Sequence, residues 1–186
     1  MPKIIKNLEE KIFISAKELF CKNGYENVDM KTIAVNCNIA VGTLYNYFPN
    51  KKELYLSVVT KSWNNTFNKL GEIIEHNEPD ISRIKSCIKI LYEDIENREG
   101  LGSQMGKIKD MEKKEFEEYK KTLINSLKKI FDGIKIKEEF KNDDNIIEKL
   151  IYTLVTNISM LIEVYNEDKE LNINYICNII KVYIEM

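Results

Sequence analysis

Apolar residues recur at three- and four-residue intervals along most of the chain, and this spacing predicts an all-α fold. Ile12, Phe13, Ala16, Leu19 and Phe20 share one face of a first helix, from about Leu8 to Lys22, and Gly24 follows as its stop. Asp29 opens a second helix that turns Met30, Ile33 and Ala34 to a core and ends near Cys37. Asn38, a residue that tolerates left-handed backbone, joins it to a third helix from about Val41 to Phe48, which Pro49 ends. On that helix Leu44 and Phe48 are four apart and face inward, leaving Thr43, Asn46 and Tyr47 outward.

The pattern then lengthens. Asn50 and Glu53 form a capping box for a fourth helix from Lys51 to about His76, and Pro79 and Asp80 open a fifth. Gly100, Gly102 and Gly106 bracket a short helix through about Met111. A charged helix follows to Phe131, burying Phe116, Tyr119, Leu123, Leu127 and Ile130, and Asp132 to Asp144 reads as a polar loop. The last two helices, from about Asn145 to Tyr165 and from Ile173 to Ile184, are apolar around more than one face, so each needs cover on two sides. A second copy of the chain is the economical second cover, with Leu150, Leu154, Ile158, Leu161, Ile176 and Ile180 as interface candidates. The expected organisation is about nine helices in two domains, residues 1–54 and 55–186, with the fourth helix running from one into the other.

A short helix that spends its exposed side on hydroxyls, an amide and a phenol suits the second member of a helix-turn-helix (residues 29–48), which enters a DNA major groove. Ala16, Phe20, Gly24, Tyr25, Ile33, Ala34, Ile39, Gly42, Thr43, Leu44, Tyr45, Tyr47, Phe48, Lys51, Glu53 and Leu54 stand in the order and spacing of the TetR-type transcriptional regulators, which this part of the chain resembles. The stretch Gly-Thr-Leu-Tyr-Asn-Tyr-Phe followed by Lys-Lys-Glu-Leu is its most specific part. The chain departs from the family pattern at Ala40, where Ser or Thr commonly caps the helix, at Val41, where a polar residue is frequent, and at Asn38, where Gly is common.

The resemblance implies a cytoplasmic homodimer that binds a palindromic double-stranded operator, most often as a repressor, and lets go when a small-molecule effector enters the C-terminal helical domain. It implies DNA contacts at Lys31, Val41, Thr43, Tyr45, Tyr47 and Lys51. The outward amide of Asn46, suited to bidentate pairing with adenine, joins them on its own chemistry. Lys3 and Lys6 could reach phosphates from the tail. Trp63, Phe67, Tyr92, Met105, Met111, Tyr119, Tyr152 and Met160 are candidates for lining an effector site, although such stripes also serve as ordinary core.

Composition narrows this only a little. A net charge of −2 argues against indiscriminate coating of nucleic acid, and residues 1–54 hold eight Lys against six acids, a slight local excess. Cys21, Cys37, Cys87 and Cys177 are far apart and sit in apolar patterns, as small buried hydrophobes in a reducing compartment do. The start of the chain has no signal-peptide pattern. One His without a neighbouring nucleophile, and no phosphate loop or clustered ligands, argue against an enzyme, a cofactor or a metal site. The remaining alternative is a helical partner-binding protein without DNA-binding activity.

Overall fold

The computed structural model describes residues 8–76, 78–98, 100–101, 108 and 113–185. It forms two compact units, Met1–Ser62 with Arg98–Phe116, and Trp63–Asn97 with Glu117–Met186. Eight α-helices account for nearly all of the regular structure among the described residues. The predicted short helix through the glycine-rich stretch falls mostly on residues outside the description, as do Lys3 and Lys6.

In the first unit, α1 (Leu8–Asn23) packs on α2 (Met30–Asn36), and α2 packs on α3 (Val41–Tyr47). Helix α4 (Lys51–His76) begins here and continues into the second unit beyond Ser62. The core is aliphatic where the helices meet: Ile12, Ala16, Ile33, Ala34, Leu44, Leu54 and Val58 are wholly buried. Beside it Phe20, Tyr25 and Tyr55 pack ring against ring, with centroids 5.0–6.1 Å apart. Three of the predicted punctuation marks are seen directly. The Asp29 carboxylate accepts from the Thr32 amide at 2.7 Å, Asn38 takes φ 53°, and Asn50 Oδ1 accepts from the Glu53 amide at 2.8 Å.

The segment after α5 (Ile81–Glu96) adds to this unit. Arg98 is buried, its Nε donating to Ser62 Oγ at 2.9 Å. The Cys21 thiol donates to the Arg98 carbonyl at 3.1 Å, and the buried Tyr55 hydroxyl donates to the Leu101 carbonyl. A buried guanidinium needs such partners, because leaving one unmet costs several kcal/mol.

In the second unit, α5 packs on both α7 (Ile146–Val164) and α8 (Lys169–Lys181), which also pack on each other. The charged helix is α6 (Lys113–Lys128), continued by a 3₁₀ turn over Lys129–Phe131. Arg83 on α5 donates to the carbonyls of Ile130 and Asp132, closing the end of that turn. Gly133 ends it at φ 75°, where a β-carbon would also meet Pro79 at 3.1 Å.

Two expectations need correction. The polar loop of residues 132–144 is a strap: Ile136 bridges antiparallel to Ile184, Lys137 N–H donates to the Tyr183 carbonyl at 3.0 Å, and Glu185 N–H donates to that of Lys135 at 2.8 Å. The alternation Ile134-Lys-Ile136 was the period-two signal for it. The last helix starts at Lys169, capped by Asp168 on the Leu171 amide, and ends at Lys181 because residues 183–185 serve this pairing.

The backbone at Asn38 generates one prediction. Replacing it with Gly relieves a side chain held at positive φ and raises the thermal midpoint, whereas Asn38→Val lowers stability by about 1–2 kcal/mol, read by urea denaturation. Asp29 generates a second. The hydrogen bond from Thr32 holds its carboxyl below the ordinary 3.8. Its contribution to stability is therefore complete above that value and drains away as the pH falls through the lower folded one. Asp29→Asn keeps a capping oxygen without a titrating proton, so the variant shows a shallower loss of midpoint between pH 5 and pH 2.

Candidate nucleic-acid interface

Helix α3 has only seven residues, and burial divides them sharply. Leu44 is wholly buried, while Gly42, Tyr45, Asn46 and Tyr47 are exposed and Val41 and Thr43 are half-buried. Tyr45 and Tyr47 leave 49% and 46% of their surfaces to solvent, too much for side chains recruited as core. Phe48 leaves the helix in an extended conformation, half-buried, and Pro49 follows. Ala40 precedes the helix with no side-chain acceptor for its first amides.

Lys31 lies exposed on α2. Lys51 is different: its Nζ donates to the Tyr25 carbonyl at 2.8 Å and stands 4.2 Å from the centroid of the Tyr25 ring. This ammonium ties the start of α4 to the turn after α1, a structural duty the sequence did not disclose. A phosphate contact there would be shared with that duty. Val41, Thr43, Tyr45, Asn46 and Tyr47 are thus brought together on one short helix, with Lys31 on the helix packed against it.

The effector candidates divide. Trp63 is buried and stacks on half-buried Phe67, with ring centroids 5.7 Å apart. Tyr92 is buried, and its hydroxyl accepts from Asn172 Nδ2 at 3.0 Å. The same amide donates to the Tyr165 carbonyl at 2.6 Å. Asn172 was missed because it falls within the inward stripe of α8 beside Ile173 and Ile176, where a polar residue looks like a break in pattern. Tyr119 is half-buried on α6. Tyr152 and Met160 line no interior of the protomer: they lie 43% and 42% exposed on the outer side of α7. Met105 and Met111, and the side chain of Phe116, lie outside the described residues.

The interface candidates are corrected as well. Leu150, Leu154, Ile158, Leu161, Ile176 and Ile180 are all buried within the protomer, so its own bundle already covers them. The second apolar stripe is another one: Tyr152, Met160 and Val164 on α7, then Leu171, Tyr175 and Val182 on and just after α8, all exposed. The inner side takes the Ile and Leu residues at three-four spacing, and the outer side mixes Tyr and Met with Val164, Leu171 and Val182.

Burial pushes the Cys87 thiol up to about 11 and raises that of Cys177, so both stay protonated and weakly nucleophilic. Among the described residues no group of three or more His, Cys, Asp or Glu could hold a metal ion, and no helix is long and apolar enough to cross a membrane.

The division of α3 generates a stability test. Leu44→Ala should cost about 2–5 kcal/mol in urea denaturation, whereas Thr43→Ala and Asn46→Ala should each stay within about 0.5 kcal/mol of the parent.

Comparison with known proteins places this geometry. The family "Bacterial regulatory proteins, tetR family" matches residues 12–58, which contain all of α2 and α3. The HTH-type transcriptional regulator YuxN of Bacillus subtilis is 29% identical over 102 residues, 54% of this chain and 35% of that protein. The HTH-type transcriptional repressor KstR of Rhodococcus jostii is 38% identical over 58 residues, 31% of this chain and 27% of that one. The matched segment thus spans only about a third of these relatives' own length. The fold agrees over most of the chain with the transcriptional regulator FadR from Bacillus subtilis, solved in complex with stearoyl-CoA: TM-score 0.71 at 16% identity, covering 91% of this chain and 96% of that one.

Proposed function

We infer from the match of residues 12–58 to the tetR family of bacterial regulatory proteins that this chain is a sequence-specific DNA-binding transcriptional regulator, and a repressor by preference. The observation that carries the reading is the exposed polar and aromatic face of α3, held outward by Leu44 beneath it. Thr43 and Asn46 are the base readers, with the Asn46 amide able to pair bidentately with adenine. Val41 offers its methyls to a thymine methyl. The Tyr45 and Tyr47 hydroxyls and the Lys31 ammonium hold phosphates and fix the register. Lys51 contributes charge there while holding Tyr25.

The reading includes a dimer in the cytoplasm. The exposed stripe from Tyr152 to Val182 suits a two-fold contact, since Thr156 and Ser159 lie between Tyr152 and Met160 on the same exposed face of α7 and let another helix approach. Two α3 helices then meet a palindrome about one DNA turn apart, ~34–36 Å. It also includes a small-molecule effector in the second unit, near Trp63, Phe67 and Tyr92; FadR from Bacillus subtilis, similar in fold, was solved with stearoyl-CoA. Helix α4 has residues in both units, so an effector that prefers one setting of that helix would bias the DNA-bound population.

Two measurements test this reading. Wild-type protein should enrich a palindromic duplex from a randomised pool, with an affinity that falls steeply as salt rises. Thr43→Ala or Asn46→Ala should then cost about 1–3 kcal/mol on that duplex and little on random DNA. In sedimentation the chain should run at twice its 21.9 kDa, and Tyr152→Glu with Tyr175→Glu should return it to the monomer. A monomeric parent, or a pool without enrichment, would contradict the reading.

A further inference from the structure

The glycines of this chain do not all answer to the fold. Gly24, Gly100 and Gly133 sit at φ 75–78°, where a side chain would be strained. Gly42 has helical backbone inside α3, and a β-carbon built on it would meet nothing within 4 Å. Among the described residues nothing asks for Gly there, although Gly weakens a helix relative to Ala.

Its position gives the reason. At about 100° per residue, Gly42 stands on the side of α3 away from buried Leu44, with exposed Asn46 nearly above it. Tyr45 lies to one side of this pair and Tyr47 to the other, both exposed. The outward face of the helix is therefore a shallow valley, floored by Gly42 and Asn46 and walled by two phenols.

We propose that Gly42 is a positioning residue for the duplex: its missing β-carbon lets the edge of a base pair come closer to the helix backbone than any other residue allows. Asn46 and Thr43 are short side chains, so they reach base atoms only when the helix is seated that deep. This rests on the DNA-binding reading above.

Gly71 supplies the comparison, because it too is helical with nothing within 4 Å of a built β-carbon, but it lies in the second unit on α4. Gly42→Ala and Gly71→Ala are each measured by thermal unfolding and by fluorescence anisotropy on the duplex that wild-type protein enriches from a randomised pool. Both variants should unfold about 1–4 °C higher than the parent. Gly42→Ala should bind that duplex about tenfold or more weakly, while Gly71→Ala binds as the parent does. Parental affinity in Gly42→Ala, a lowered midpoint in that variant, or an equal loss in Gly71→Ala would each overturn the proposal while leaving the DNA-binding reading standing. A wild-type protein that enriches no duplex would overturn both.

Discussion

The burial of Leu44 is the constraint on which the rest depends. A seven-residue helix has too little backbone hydrogen bonding to stand alone, and α3 lacks even a side-chain cap at its start. Packing on α2 and one fully buried side chain must therefore hold both its existence and its rotation about its axis. Once Leu44 is inside, Gly42, Tyr45, Asn46 and Tyr47 have no other place than the surface. Function follows from that rotation: half a turn would present Leu44 to solvent and turn Gly42 and Asn46 inward.

The connection before α3 serves the same end. The left-handed residue Asn38 aims the chain so that α3 leaves α2 at a sharp turn, and the carbonyl of Ala34 accepts from the Ile39 amide at 3.0 Å to close that turn. On the far side, Lys51 joins the start of α4 to the Tyr25 carbonyl and ring. Rings, a cation and an αL residue thus brace a surface that carries almost no stabilising contacts of its own. That division of labour is how a rigid scaffold presents a variable reading face.

Much of this was legible beforehand, for identifiable reasons. Caps and stops are local chemistry, so Asp29, Asn38, Gly24 and Pro49 announced the ends of helices within a residue or two. The three-four spacing announced the inner stripes. What the chain did not announce was non-local. The tie from Lys51 to Tyr25 spans 26 residues, the Asn172–Tyr92 pair spans 80, and the pairing of Ile136 with Ile184 joins a loop to the C-terminal segment. That the last two helices are apolar on more than one face was visible, but the outer stripe was not: apolarity alone chose Leu150 and Ile158, and these turned out to belong to the protomer's own core. Tyr152 and Met160, read as lining, stand outside for the same reason.

The central claim, that the outward side of α3 reads base edges from within the major groove, is met most directly by dimethyl sulfate protection of guanine N7 on the duplex the protein enriches. The account predicts two protected patches, symmetric about the centre and about 10 base pairs apart, each losing protection when Asn46 or Thr43 is replaced. Protection confined to the minor groove or the phosphates, or patches indifferent to those two residues, would contradict it.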